Sequence, residues 1–363
     1  MSVQARSLVV VDVPEGARTR VFRAPGVRVL TLREDTCLDA RIVDEAAPER
    51  GPRVRFPAPW PALLSGEDCV SPDLSYAVFV GPHSVRAVAA DGTPRWELFH
   101  QCRTRIPRTF VPDEETPCPC DRDTDVAETG SAHITPDGKL VWAHVATPLA
   151  QDPPETPIGE AWLLLDAVDA SVIHRLDLPD LFATQSHHVP HPDGQRVAVC
   201  LGSDPYDVTV LWGSWNGHEA TTRRAETAPG LVLCDISPDG DEYVTLDLST
   251  DNLTRRRVAD DSELTEIDYT QLLPHPDADD AEEPPVWDQM CGYLNATTLL
   301  ASTAELDDQW GHHRHWTIST TDPTPREITY PIPVFGAPIP LGDNTWLTRM
   351  EEAPQQLRLW TDS

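Results

Sequence analysis

The chain has 363 residues, with 28 basic side chains against 59 acidic ones and a formal charge of -31. That balance excludes global electrostatic attraction to nucleic acid or to an anionic membrane, and leaves a protein partner with a basic or neutral surface, or a small molecule. Hydrophobic residues at 40% supply a core, while no apolar run approaches the roughly 18 residues of a membrane span. The N-terminal Val9, Val10 and Val11 meet Asp12 at once, so no secretory segment is expected and a cytoplasmic location is. Lys139 is the one lysine among the basic residues, a bias that points to a high-GC, actinobacterial coding genome more than to salt adaptation.

Along the chain, 36 prolines and 19 glycines punctuate short runs rich in Val, Leu, Thr and Trp, so strands dominate and helices are scarce. The run Ser7 to Val13 reads as a first strand, and residues 21–60 as further strands with a poor turn signature. A clear signature then recurs as Ser71-Pro72-Asp73, Thr135-Pro136-Asp137-Gly138, His191-Pro192-Asp193-Gly194 and Ser237-Pro238-Asp239-Gly240. Proline presets φ at the first turn position, aspartate accepts from nearby backbone amides, and glycine takes the positive φ of a tight hairpin. Weaker versions stand at Leu294-Asn295-Ala296-Thr297 and Leu341-Gly342-Asp343-Asn344.

Successive turn prolines lie 64, 56 and 46 residues apart, near the period of four-stranded propeller blades whose loops vary in length. Two more strand-like runs follow each hairpin, as at Ala161 to Leu165 and Val172 to Leu176. The expected fold is therefore an all-β, closed β-propeller in one domain, 1–363, with seven four-stranded blades and six as the alternative. The blades fall at 21–60, 66–101, 129–178, 186–227, 230–270 and 286–330, and the last, 336–360, is completed by the N-terminal strand 7–13, which removes exposed sheet edges.

The repeated Ser/Thr/His-Pro-Asp-Gly hairpin followed by an apolar strand resembles WD-repeat-like and related bacterial β-propellers over roughly residues 66–360. No unit carries the Gly-His start or Trp-Asp end of a true WD repeat, so the resemblance implies the fold and leaves the subfamily open. Such a fold hosts scaffolds and enzymes alike.

Function is expected on long polar loops set on a rigid frame. These are 102–128, 179–187 and 271–288 leading into innermost strands, and 146–160, 202–207, 249–253 and 304–313 within blades. Asp121, Asp123 and Asp125 alternate as in a calcium loop, but Val126 and Ala132 stand where that loop needs glycine and glutamate. Cys102, Cys118 and Cys120 with His100 have the donors for zinc but the wrong cysteine spacing.

Aligning the hairpins places Cys69, His133, Val189 and Asp235 three residues before the turn proline. There His133 and Asp235 would face the central channel as an anchoring or acid/base pair, or tie neighbouring blades together. Asp288, at the entry to another innermost strand, joins them as a candidate ligand contact, together with His187 and His188 and the loop tryptophans Trp287 and Trp310. No cofactor is predicted; a divalent metal is the candidate on His313 and His315 with Asp308, or with Asp288 in its place. No nucleophile elbow, phosphate loop or dinucleotide fingerprint occurs. The leading expectation is a non-enzymatic interaction or ligand-binding module using an acidic loop face; the alternative is a propeller enzyme of lyase, cyclase or lactonase type, metal-dependent if the metal site forms.

Overall fold

Each recurrent turn closes on its own side chains. The Ser71 hydroxyl donates to Asp73 at 2.7 Å and accepts from the Tyr76 amide at 3.1 Å. Thr135 bonds Asp137 and the Leu140 amide, and Ser237 bonds Asp239 and the Glu242 amide, in the same way. Gly138, Gly194 and Gly240 take φ near +70 to +80. Where the first copy lacks glycine, Leu74 takes that conformation at φ 58, tolerated because its side chain is buried in the apolar core.

These turns join the first and second strands of antiparallel sheets. The computed structural model describes residues 3–43, 51–101, 130–179, 181–204, 207–227, 230–247, 249, 251–273, 285–304 and 313–362. Among the described residues there are five four-stranded sheets and one of eight strands. In chain order the first strands of the five are Arg18–Ala24, Cys69–Val70, Ser131–Ile134, Gln185–Pro190 and Leu231–Ile236, and each sheet runs consecutively outward from them.

The eight-stranded sheet has two halves, each of consecutive antiparallel strands. One runs from Val286–Asn295 outward to Arg326–Thr329; the other holds Val334–Pro340, Thr345–Met350 and Gln356–Asp362. The N-terminal strand Val3–Asp12 lies between them, antiparallel to Gln356–Asp362 and meeting the other half in parallel at Val3↔Ile328 and Gln4↔Thr329. It thus covers the outer edges of both halves.

First strands of successive sheets touch one another from Cys69–Val70 through Ser131–Ile134, Gln185–Pro190, Leu231–Ile236 and Val286–Asn295 to Val334–Pro340. The apolar core is divided between sheet faces: Trp142, Trp162 and Leu164 of the third sheet meet Val197, Val199 and Leu211 of the fourth. Another layer joins Leu30 and Leu32 of the first sheet to Leu347 and Leu359 of the last half-sheet. Among the described residues no helix is long and apolar enough to cross a membrane.

Candidate binding channel

The register of the first strands decides where their polar side chains go. In Ser131–Ile134, Ala132 and Ile134 pack toward the second sheet, so Ser131 and His133 face the fourth. In Gln185–Pro190, Ser186 and His188 face back, and the Ser186 hydroxyl bonds Ser131 at 2.8 Å. His133 and His188 are thereby brought together, with ring centroids 6.4 Å apart and 28° between planes.

Trp162 Nε1 donates to His188 Nε2 at 3.0 Å. An acceptor Nε2 leaves the proton of a neutral imidazole on Nδ1, and that atom is enclosed without a partner among the described residues. Burial pushes His133 down to about 4. It also pushes His188 well below the ordinary histidine range, helped by His133, His144, His187 and Arg20. Both rings are therefore neutral at pH 7. Glu67, held by Arg20 from the first sheet, reaches the His188 amide at 3.4 Å.

Asp235 is only 4% exposed and fully engaged. One oxygen accepts from Arg23 and from the Ile236 amide, the other from the Tyr293 amide at 2.7 Å. Burial raises its pKa, opposed by Arg23 and by these amides. The acid/base pairing of His133 with Asp235 is thus corrected: Asp235 ties its own strand to Val286–Asn295 and to the first sheet, the role a buried carboxylate with three donors fills.

The other candidates separate. His187 turns to the opposite face and bonds the Leu233 carbonyl at 2.7 Å. Trp287 is 0% exposed and donates to the Ile267 carbonyl at 3.2 Å; it belongs to the core between the fifth sheet and the next, because alternation along its strand turns it inward. Asp288 accepts from Ser302 at 3.1 Å and lies 3.4 Å from His313 Nδ1.

His315 uses both ring nitrogens, on the Tyr330 hydroxyl and the Gly336 carbonyl, at 2.7 and 2.9 Å. The metal reading of His315 is thereby corrected, since a metal would have to displace one of those bonds. Among the described residues no group of three or more His, Cys, Asp and Glu is arranged to hold a metal ion. Trp310, Asp308, Cys102, Cys118, Cys120 and the Asp121–Asp125 run lie outside the described residues.

The arginines carry no local signal in the sequence. Arg23 meets Asp235 from 212 positions away, a contact without local signal. The same holds for a cavity of about 600 Å³ at the hairpin-turn end of the first strands, walled by Pro25, Pro190, Pro192, Pro238, Val43 and Leu341, with Arg23 and Arg28 on its lining. That is the C-terminal end of the first strands, whereas ligand binding is expected from the sequence at the end where the chain enters them. Four turns from separate sheets build it, so no single segment of sequence carries its signal.

No protein-family model matches the sequence, and no curated protein does. Among solved structures the chain is similar to a prolyl endopeptidase, at 12% identity and a TM-score of 0.53, over 92% of this chain and 46% of that one. It is similar to U3-55K at 9% identity and a TM-score of 0.54, over 98% of both chains. This chain spans about half the length of the prolyl endopeptidase. Both likenesses are of fold alone, and they make this an all-β protein of β-propeller-like architecture.

Proposed function

We propose that the protein is a seven-bladed propeller, closed by the N-terminal strand, that serves as a non-enzymatic binding module and meets a basic or neutral protein partner through its acidic loop face. Closure is supported by the pairing of Val3–Asp12 with both halves of the eight-stranded sheet and by the apolar layer joining the last half-sheet to the first sheet. Deleting residues 1–14 is expected to lower the melting temperature of the whole protein, because it reopens two strand edges. An unchanged melting temperature would overturn closure by that strand.

The observation that carries the binding reading is where the positive charge has gone. Arginines across the sheets are spent on intramolecular carboxylates, as in Arg33–Asp68, Arg53–Asp39, Arg86–Glu97, Arg175–Asp152 and Arg255–Glu242. In contrast, segment 113–128 holds seven carboxylates against Arg122 alone, and 277–283 holds five with no basic residue. In chain order each segment falls between the last strand of one sheet and the first strand of the next. A field of one sign accelerates encounter with an opposite charge and is screened by salt.

Replacing Asp277, Asp279, Asp280, Glu282 and Glu283 by their amides should slow association with a partner recovered from lysate and flatten its salt dependence. If rate and salt slope both stay as they were, the charge serves solubility and the reading fails.

A further inference from the structure

In a chain with about twice as many acidic as basic residues, the cavity at the turn end is lined by two arginines and no carboxylate. Arg23 and Arg28 are directly opposed across the hairpin of Arg18–Ala24 and Val27–Arg33, so their side chains leave the same face. Like charges opposed in this way destabilise a strand pair. Each guanidinium is held by a carboxylate that is not part of the lining, Arg23 by Asp235 and Arg28 by Asp343. Two cations and two anions balance, with both arginines on the lining and both carboxylates off it.

The rest of the lining offers little polar competition. Four prolines have no N–H to give, and the Ser237 hydroxyl is committed to Asp239 and the Glu242 amide. Ile42, Val43, Ile236 and Leu341 supply apolar wall. At Gly342, φ is +83 and a Cβ would lie 3.2 Å from Arg23 Nη1, so the absent side chain leaves the guanidinium its place beside the turn.

We propose that this cavity binds a small organic monocarboxylate with an apolar body, its carboxylate on Arg23 and Arg28 and its body against the proline and aliphatic wall. A planar carboxylate matches the guanidinium fork, and the volume falls in the range of small-molecule sites. The local charge balance favours a monoanion over a dianionic phosphate ester. The lining shares no residue with the acidic segments, so its failure would leave the partner-binding reading standing.

The test is calorimetric titration of the full chain with 4-phenylbutanoate, 4-phenylbutanamide and phenyl phosphate. The carboxylate should bind with a submillimolar dissociation constant, and the amide and the phosphate at least about tenfold more weakly, the size of a lost charge-assisted contact. Arg28→Gln should weaken the carboxylate at least about tenfold and leave the amide unchanged. Ile42→Trp, which fills the cavity and spares both arginines, should weaken the carboxylate as well, with circular dichroism reporting that each variant folds. Equal binding of acid and amide, tighter binding of the phosphate, unchanged affinity in folded Arg28→Gln, or no carboxylate binding at millimolar concentration would each overturn the proposal.

Discussion

His133 and Asp235 stand at the same place in their repeats, three residues before the turn proline, and both are buried on first strands, at 8% and 4% exposure. Their surroundings treat them in opposite ways. Asp235 is drawn into a knot of one guanidinium and two backbone amides that spans three sheets. His133 stacks near His188, whose own ring packs on Trp162 of the third sheet, and no hydrogen-bonding partner of the His133 ring occurs among the described residues. Equivalent repeat position therefore predicts where a side chain sits and says nothing of what it does there. The partner decides that, and the partner comes from a different sheet.

The knot is the stronger element, and breaking it should have the largest effect. Asp235→Ala leaves Arg23 a partly buried charge without its carboxylate and the Tyr293 and Ile236 amides without an acceptor. Removing one member of such a pair costs about 3–5 kcal/mol, read as a fall in the urea midpoint with the slope unchanged. Loss of less than about 1 kcal/mol would mean that Asp235 is dispensable to the fold and would erase the contrast.

Much of the frame was legible in the sequence because its signals are local. Proline, aspartate and glycine in fixed order act within one turn, so the hairpins at Thr135, His191 and Ser237 stand where their residues announce them. The link between turns was not legible: the Tyr76 hydroxyl donates to the Gly138 carbonyl at 2.9 Å, and His191 bonds the Gly240 carbonyl at 2.9 Å. Those bonds exist only after neighbouring sheets have packed. Trp287 misled for a related reason, since its acidic neighbours resemble a loop while alternation along the strand carries the ring inward. Among the candidate residues, His133 and His188 converge because both sit on facing sides of adjacent first strands, a relation that register sets and composition hides. Arg23 and the cavity had no signal at all, being made by residues far apart in sequence.

The two sites also differ in sign toward acid, which sharpens the comparison. Burial holds His133 at about 4 in the folded protein, against about 6.5 for a free histidine. Between those values the unfolded chain binds the proton and the folded one resists it. The stability present above pH 6.5 is therefore lost progressively as pH falls toward 4, by up to about 3 kcal/mol for this group, and no further below. His188, also pushed down, acts in the same direction. Asp235 has the opposite tendency, because its folded pKa is raised and acidification relieves rather than burdens its burial. Unfolding free energies of the parent and of His133→Phe, measured by urea from pH 4 to 7, should diverge in slope by up to about 1.4 kcal/mol per pH unit in that window. Parallel curves would show that His133 does not carry the acid sensitivity.

The smallest expected effect reaches the histidine pair through the tryptophan that holds it. Gly213 lies on the fourth sheet where a Cβ would come within 2.6 Å of the Trp162 ring and 2.8 Å of the Trp142 ring. Those indoles are themselves packed with centroids 4.6 Å apart, and neither is a flexible chain end that can swing aside. Gly213→Ala should then cost about 1–3 kcal/mol by overpacking and displace Trp162 from His188 Nε2. With that donor moved, Nε2 is no longer bound to act as an acceptor, and the preference for the proton on Nδ1 should weaken. Nitrogen chemical shifts of the His188 ring in the parent and the variant read that preference directly, separately from stability. A destabilised variant whose His188 keeps the parent's tautomer would show that the ring is held by its enclosure and not by the indole N–H; a variant as stable as the parent would show that the two sheets have room to part, which the dense packing of Trp142 and Trp162 argues against.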